Sequence, residues 1–338
     1  MKNFLLVALF TCTALISFSQ PYKGLVQSGD DNGENGKSAG CAAASTSLYM
    51  ELNNVSALIH TGGNLWQISS QNRSHYEVPK GSGIMSLFSS ALWLGGQDVN
   101  GQLKLAALRY RSGNDYWTGP LTNNFAEITP SECIKYDKIF HSKQDDIREF
   151  DAWFTAGEQD QLNGTNTQSQ QFPNYVIPDI IKDWPAHGDA AAGQDHFLAP
   201  FYDRNNDQDY NYLDGDYPWY DDILNRDDVE CGVDRRITLF GDETHWWVFN
   251  DVGNIHGESN GDPIGMEVRA QAFAFATNDE VNRMTFYNYE MINRGTQTLF
   301  DTYFAQYIDA DVGFAQDDYT GCDVSRGLGY MFNGDNFD

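Results

Sequence analysis

Small and large side chains alternate along residues 268–276, and this pattern constrains the fold more than any other feature of the chain. Ala270, Ala272 and Ala274 fall on one face, and larger or polar residues stand between them. A period of two residues is that of a β-strand, whose successive side chains point to opposite faces. We therefore predict a strand here, with its alanine face turned to a core.

Other short apolar runs are bounded by turn residues, and we predict that they pair as hairpins. Asn100-Gly101 favours a two-residue turn, and Gly95-Gly96 indicates a bulge or the close approach of another backbone. Phe300, Phe304 and Ile308 would share a half-buried face of one strand. The predicted pairs are 91–99 with 102–110, 237–240 with 245–249, and 285–292 with 299–308. Successive hairpins predict a mainly β chain with an antiparallel, sandwich-like architecture.

A helical pattern interrupts the strand signals after residue 142. Ser142 and Asp145 resemble a capping box, which marks the beginning of a helix. Apolar residues then recur at helical spacing, at Ile147, Phe150, Trp153 and Phe154. We predict a short helix that ends before Gly157, followed by an exposed polar loop at 160–171. The fold class is therefore mainly β with one or two short helices.

The chain divides into five stretches by composition. Lys2 and an apolar run of about a dozen residues are typical of a secretory signal, and the run is too short to span a bilayer. No later segment is apolar for long enough to do so either. The predicted stretches are a signal peptide at 1–20, a flexible leader at 21–45, a β-rich region at 46–125, a mixed region at 126–230 and an antiparallel β region at 231–338. We expect the last region to be truncated and the chain to be the front portion of a longer protein.

Acidic residues outnumber basic ones by 48 to 21, which gives a formal net charge of -27. A nucleic-acid partner is not expected, because binding to a phosphate backbone needs a basic surface. The acidity suits either solubility or cation binding. An exported chain can oxidise its cysteines, and four of them allow three pairings, so we leave open how Cys41, Cys133, Cys231 and Cys322 combine.

The segment 203–214 has the ligand spacing of a calcium loop. Side-chain oxygens stand at positions one, three, five, nine and twelve, and position seven would use its backbone carbonyl. Gln208 stands at position six, where such loops usually carry glycine. The alternative is an acidic turn, since Asp and Asn favour turns on their own account. The predicted calcium ligands are Asp203, Asn205, Asp207, Asp209, Asn211 and Asp214, with Asp216 close by.

A second acidic cluster follows the last long predicted strand. Gly313 and Gly321 allow the chain to turn back there. A second cation site and a plain acidic loop explain this cluster equally well. The weaker set of candidate ligands is Asp309, Asp311, Asp317 and Asp318, with Asp323 further along.

No set of catalytic residues can be assembled from the sequence, so we favour a role without catalysis. Glycoside cleavage would need two carboxyl groups facing a sugar cleft. Trp246 and Trp247, with Trp219 and Tyr220, could supply a sugar platform, although aromatic residues in strands more often lie in a core. The histidines lack the spacing of a helical zinc site, and a single histidine among aromatics is more often a hydrogen-bonded packing residue.

Several stretches together carry a family resemblance that covers nearly all of residues 46–338 in order. They are 76–83, 91–96, 112–120, 136–139, 184–189, 199–218, 246–251, 263–275, 288–295, 301–311 and 317–323. This pattern resembles the amino-terminal region of large secreted proteins that carry a type IX secretion sorting domain at their far end. The sorting domain itself is absent from this sequence.

The resemblance implies export from a Gram-negative cell, with release or attachment at the outer surface. It implies no catalytic residues. The family's Asp/Asn run corresponds here to Asp203, Asn205, Asp207 and Asp214. We therefore expect a secreted or cell-surface, calcium-stabilised β-rich module with a structural or adhesive role. Its expected partners are the export machinery and extracellular glycan or cell-surface components. The alternative is a carbohydrate-binding or glycoside-hydrolysing extracellular protein.

Overall fold

The structure, a computed structural model, describes residues 38–220 and 238–334. Strands make up 35% of the described residues and helices 17%, so the prediction of a mainly β fold is confirmed. The predicted signal peptide, most of the predicted leader, Ile237 and Cys231 lie outside the described residues. None of the helices within the described ranges is long and apolar enough to cross a membrane.

Two antiparallel sheets form the body of the fold. The first sheet contains β1 (Ser47–Met50), β2 (Ser56–His60), β3 (Asn64–Leu65), β6 (Tyr76–Glu77), β7 (Leu87–Gln97), β8 (Leu103–Ala107) and β16 (Phe300–Ala310). The second contains β9 (Trp117–Thr118), β10 (Phe140–Lys143), β13 (Glu243–Asn250), β14 (Met266–Ala274) and β15 (Phe286–Asn293). Small two-stranded ladders pair β4 (Gln67–Ile68) with β5 (Arg73–Ser74), β11 (Phe201–Tyr202) with β12 (Tyr217–Pro218), and β17 (Asp318–Asp323) with β18 (Leu328–Asn333).

One hydrophobic core lies between the two sheets. Ile59 and Leu94 of the first sheet and Trp247 and Val268 of the second belong to it. The alanine face of β14, predicted from the alternation, lies here and is fully buried. The sandwich-like architecture therefore has the core that the sequence pattern requires. Residues far apart in the sequence, such as Ile59 and Val268, share this core.

The mixed region covers the other face of the second sheet. It carries α1 (Pro130–Lys135), α2 (Gln144–Asn163), α3 (Thr167–Gln171) and α4 (Asp179–Lys182). Phe150 of α2, Trp184 and Phe201 pack with Trp246 and Val248 of β13 in a second hydrophobic core. Since side chains alternate along β13, Trp246 lies in this core and Trp247 in the first. The mixed region thus forms a third layer.

Of the three predicted hairpins, one is present with a longer loop and two are wrong. β7 and β8 do pair, but Gln97 lies opposite Leu103, so five residues rather than two form the loop. The pairing of 237–240 with 245–249 is wrong, because β13 pairs with β9, β10 and β14 instead. The pairing of 285–292 with 299–308 is also wrong. β15 joins the second sheet and β16 crosses to β7 of the first.

Three local predictions have different outcomes. A Cβ at Gly96 would lie 3.3 Å from the carbonyl oxygen of Phe300, so the predicted close approach is confirmed. Phe300, Phe304 and Ile308 are about half exposed, at 52%, 54% and 51%, so the described residues leave that predicted core face uncovered. The predicted short helix is the 20-residue α2, which continues through Gly157.

A disulfide joins Cys41 to Cys133, which selects one of the bonds that the sequence left open. Both residues are buried beside Trp117. The backbone N–H of Cys41 also donates to the carbonyl of Gly253 at 2.9 Å. The end of the predicted leader is therefore fixed to the body of the fold. Cys322 is exposed and has no disulfide partner among the described residues, which do not include Cys231.

Candidate functional site

The predicted calcium loop connects β11 to β12. These two strands pair through Phe201 with Pro218 and through Tyr202 with Tyr217. The rings of Tyr202 and Tyr217 stack with their centroids 4.9 Å apart. The ladder therefore holds the two ends of the loop together, as a closed ligand loop requires.

The first half of the loop curls around its own acidic side chains. The carboxylate of Asp203 accepts hydrogen bonds from the N–H groups of Asp207 at 3.3 Å and Gln208 at 2.8 Å. Asn205 Oδ1 accepts from the Asp207 N–H at 3.0 Å, and Asp207 Oδ1 accepts from the Asp209 N–H at 2.9 Å. The oxygens at positions one, three and five are thus gathered on the inside of one turn.

Gln208 makes the sharp turn that glycine usually makes at position six. Its φ is +72°, in the left-handed region, and Asn206 also has a positive φ of +60°. The departure from the glycine pattern therefore changes the residue but not the backbone conformation. A side chain with a Cβ adopts this conformation at an energetic cost.

The second half of the loop is arranged separately. Asn211 caps a 3₁₀ turn at Tyr212–Asp214 by accepting from the Leu213 N–H at 3.1 Å. Its side-chain amide donates to Asp214 Oδ2 at 2.6 Å. The six predicted ligands therefore form two groups: Asp203, Asn205 and Asp207 together, and Asn211 with Asp214. Asp209 lies between them, with Oδ1 3.5 Å from His196 Nε2.

Asp216 closes the base of the loop, and the spacing pattern did not assign it a ligand position. It is fully buried, and its carboxylate accepts from the N–H groups of Arg204 at 2.8 Å and Asn211 at 2.9 Å. Burial raises the pKa of Asp216, and the two N–H groups lower it. The negative charges of Asp203 and Asp207 raise it further. Asp216 thus lies close enough to both carboxylates to feel their charge. Its place in the same acidic run was the signal available in the sequence.

This concentration of negative charge lacks a compensating cation within the described ranges. Arg204 lies at position two but turns away from the carboxylates toward α2. It forms ion pairs with Asp151 and with Glu158, the latter at 2.9 Å, and lies over the ring of Phe154. A bound divalent cation would offset the repulsion among the remaining carboxylates.

Two stacked histidines support the loop from behind. The ring centroids of His187 and His196 are 4.2 Å apart. His187 Nδ1 donates to the carbonyl of His196 at 2.8 Å, and its Nε2 accepts from the Tyr210 N–H at 2.7 Å. His196 Nε2 donates to the carbonyl of Gln208 at 2.8 Å. Although these histidines and Asp209 lie close enough to hold a metal, both nitrogens of His187 are already used. Their role is to fix the loop backbone.

A cavity of about 670 Å³ opens beside the loop. Asp203, Asn206 and Gln208 line one side of it. The outer face of the second sheet supplies Arg269, Gln271, Asn288 and Glu290, and aromatic walls come from Phe197, Phe201, Trp219 and Trp246. The loop and the cavity are therefore one continuous feature of the surface.

The polar groups of the cavity are unequally satisfied. Gln271 is 2% exposed and donates from Nε2 to the carbonyl of Thr238, but its Oε1 has no hydrogen-bond partner in the described part. Arg269 is paired with Asp195 and Glu267, both at 2.8 Å. Burial raises the pKa of Glu290, and the charge of Arg269 opposes that effect. The cavity thus offers a carboxyl group to a polar ligand, whereas the acceptor of Gln271 is buried in the cavity wall.

Trp246 and Trp247 do not form an exposed sugar platform, contrary to that hypothesis. They are 1% and 0% exposed and point to opposite faces of β13. Only Trp246 reaches the cavity, as part of its wall. The aromatic signal in the sequence was largely that of two cores.

The second acidic cluster comes together in part. Asp309 accepts from the hydroxyl of Tyr110 at 2.8 Å, and Asp318 accepts from the Val312 N–H at 3.0 Å. Burial raises the pKa of Asp311, with further contributions from Asp309 and Asp318. Asp317 lies in the adjoining turn, where its carbonyl accepts from Gly334. Asp323 forms an ion pair with Arg326 at 2.8 Å instead. A cation at this cluster stays a prediction.

No protein-family model, curated protein or solved structure matches this chain.

Proposed function

We propose that this chain is a calcium-stabilised, β-rich module of a secreted or cell-surface protein, with a structural or adhesive role. The observation that carries the proposal is the acidic loop at 203–214. Asp203, Asn205 and Asp207 turn inward around a left-handed turn at Gln208, over the buried carboxylate of Asp216. Oxygen ligands in a loop of this kind suit a hard cation such as Ca²⁺.

The experiment compares thermal unfolding of the chain with calcium and with chelator. Calcium at about 100 times its Kd would add about 2.7 kcal/mol to the free energy of unfolding, which raises Tm by several degrees. The double variant Asp203→Asn/Asp207→Asn is expected to lose this rise. In chelator it should be at least as stable as the wild type, because the repulsion among the carboxylates is relieved.

Glu127→Gln is the matched control, because it removes an exposed carboxylate outside the loop. It should keep the full response to calcium. A wild-type chain whose Tm is the same with calcium and with chelator would overturn the proposal. The same holds if the double variant responds to calcium as the wild type does.

An extracellular location is supported by two independent features. The Cys41–Cys133 disulfide suits an oxidising compartment, and residues 1–20 have the pattern of a secretory signal. The resemblance to proteins with a type IX sorting domain adds the outer surface of a Gram-negative cell and its export machinery as partner. Mass spectrometry of chain from a periplasmic extract should find cleavage near residues 19–20 and an oxidised Cys41–Cys133 pair. Recovery of uncleaved, reduced chain from the cytoplasm alone would contradict this location.

The cavity favours glycan binding as a second candidate function. Its Asn288 and Glu290 side chains and its aromatic walls combine hydrogen-bonding groups with apolar surface. That combination suits a neutral sugar. A neutral-oligosaccharide array should yield a ligand whose binding is lost in Asn288→Ala and in Glu290→Gln, but not in Gln144→Ala, which changes a residue outside the cavity lining. An array without any bound glycan would sink this candidate and leave the calcium proposal standing.

A further inference from the structure

Two histidines and a glutamate converge on one point at the end of the second sheet. β10 and β13 are antiparallel, and His141 lies directly opposite His245 in their register. Glu243 is two residues before His245, so its side chain emerges on the same face. The two imidazole rings have their centroids 4.8 Å apart. The strand register alone therefore brings three good metal ligands together.

The distances among their ligand atoms fit a common ion. Glu243 Oε1 lies 2.8 Å from His141 Nε2 and 3.0 Å from His245 Nε2. All three ligand atoms lie within 4.8 Å of one another. Ligands on a tetrahedral zinc ion, with bonds of about 2.0 Å, are roughly 3.3 Å apart. The two carboxylate–imidazole distances would need to lengthen by only a few tenths of an ångström to match such a site.

Hydrogen bonding leaves part of this cluster unexplained. His141 Nε2 is buried and has no hydrogen-bond partner in the described ranges, although the Glu243 oxygen is only 2.8 Å away. The carboxylate also turns to the two rings rather than to Lys143, which lies directly opposite it on β10. A buried carboxylate and a buried bare nitrogen at this separation are both satisfied by a shared cation.

The cluster is enclosed on one side and open on the other. The side chains of His245 and Glu243 are 0% and 6% exposed, whereas that of His141 is 35% exposed. Solvent can therefore reach the His141 side and supply a fourth ligand. Two imidazoles, one carboxylate and an open position are a donor set for zinc, while calcium prefers oxygen ligands.

We propose that His141, Glu243 and His245 form a binding site for a divalent transition-metal ion of the zinc class, separate from the acidic loop. The competing explanation is a histidine–carboxylate packing cluster without a metal. The two explanations differ in whether the folded chain takes up zinc through these residues.

The test uses the full chain, freed of metal with a chelator and then kept in excess calcium. Zn²⁺ titration by calorimetry should show one equivalent bound, and Co²⁺ should give the visible absorption of a tetrahedral site. His141→Ala changes the most exposed side chain of the three and spares the core, and Glu243→Gln keeps the size of its side chain. Each should weaken Zn²⁺ binding at least tenfold, and circular dichroism will check that both variants fold.

His196→Ala is the matched control, because it removes a histidine from the other histidine–carboxylate group. It should leave Zn²⁺ binding unchanged. The proposal is overturned if the wild-type chain takes up no Zn²⁺, or if folded His141→Ala and Glu243→Gln bind it as the wild type does. Loss of binding in His196→Ala alone would overturn it too.

Discussion

The backbone of Gln208 is strained by the conformation that its position in the loop requires. Its φ of +72° lies where glycine is free of strain. A residue with a Cβ destabilises the folded state by about 1–2 kcal/mol in this conformation. Replacement by glycine removes that strain, but the greater flexibility of glycine also stabilises the unfolded state by roughly 0.5–1 kcal/mol. We expect Gln208→Gly to raise the free energy of unfolding by about 0.5–1 kcal/mol. Urea denaturation in calcium will measure it.

Asn206→Gly provides the comparison for that variant. Asn206 also has a positive φ, of +60°, but asparagine tolerates this region better than glutamine. Asn206→Gly should therefore raise the free energy of unfolding by less than Gln208→Gly does. If Gln208→Gly raised the free energy of unfolding no more than Asn206→Gly does, the turn would not be strained at position six.

His60 should make stability depend on pH. It is 8% exposed, and its Nε2 donates to the carbonyl of Gln67 at 2.9 Å. Burial lowers its pKa from 6.5 to about 4, and the charge of Arg111 adds to that effect. The unfolded chain therefore takes up a proton below pH 6.5 that the folded chain refuses until about pH 4. This contribution is full above pH 6.5 and is lost as the pH falls toward 4.

The size of that loss is up to about 3 kcal/mol. Urea unfolding at intervals from pH 7 to pH 4 will measure it in the wild type and in His60→Gln, whose amide can still donate to Gln67. Other titrating groups are common to both chains, so the difference isolates His60. We expect a shallower slope for the variant. Parallel slopes would show that His60 does not titrate with folding.

At the scale of elements, Arg204 couples the acidic loop to α2. Its guanidinium pairs with Asp151 and Glu158 and lies 4.9 Å from the Phe154 ring centroid. Lysine cannot reproduce this forked and stacked geometry. We expect Arg204→Lys to lower the free energy of unfolding by about 1–2 kcal/mol. It should also speed hydrogen exchange of the loop amides.

The exposed Arg148 on the same helix serves as the control for Arg204. Arg148→Lys is expected to change stability by less than about 0.5 kcal/mol. Equal effects of the two substitutions would mean that Arg204 contributes only a general surface charge.

The sequence predicted strands better than it predicted their partners. The alternation at 268–276 located β14 and its buried face, because that signal is local. The partner of β16 is β7, more than 200 residues earlier in the chain, and no local signal carries such a pairing. The nearest strand, β15, was the natural but wrong choice. Chain connectivity favours sequential neighbours only as a tendency.

The sequence predicted α2 too short because a glycine inside the helix makes room for a side chain from outside it. Glycine disfavours helix, so Gly157 was read as its end. A Cβ there would lie 2.5 Å from Gln168 Nε2, which donates to the carbonyl of Trp153. Glycine thus makes room for Gln168 to dock against the helix. The carboxylate of Asp160 also accepts from the N–H groups of Thr167 and Gln168, which begins α3 in the predicted loop.

The candidate sites show the same limit. The ligand spacing correctly predicted that Asp203, Asn205 and Asp207 lie together, because a tight turn is a local structure. It did not anticipate that Asn211 would pair with Asp214 or that Asp216 would be buried. His141 and His245 are 104 positions apart, and only the register of β10 on β13 brings them together.

At the scale of the whole molecule, residues 50–94 share one core with residues 247–274. Forming this core requires long chain segments to close before most contacts can exist, which costs conformational entropy. The Cys41–Cys133 disulfide spans a separation of 92 residues within the first part of the chain. It therefore removes much of the conformational freedom of the unfolded, cross-linked chain.

Loss of this disulfide should lower the free energy of unfolding substantially. A closed loop of this length is worth about 4–5 kcal/mol in the chain-entropy account. The double variant Cys41→Ala/Cys133→Ala should therefore unfold at markedly lower urea, and reduction of the wild type should produce a similar loss. Cys322→Ser, which changes an exposed cysteine outside this disulfide, should unfold like the wild type. A double variant as stable as the wild type would show that this disulfide does not contribute to the free energy of unfolding.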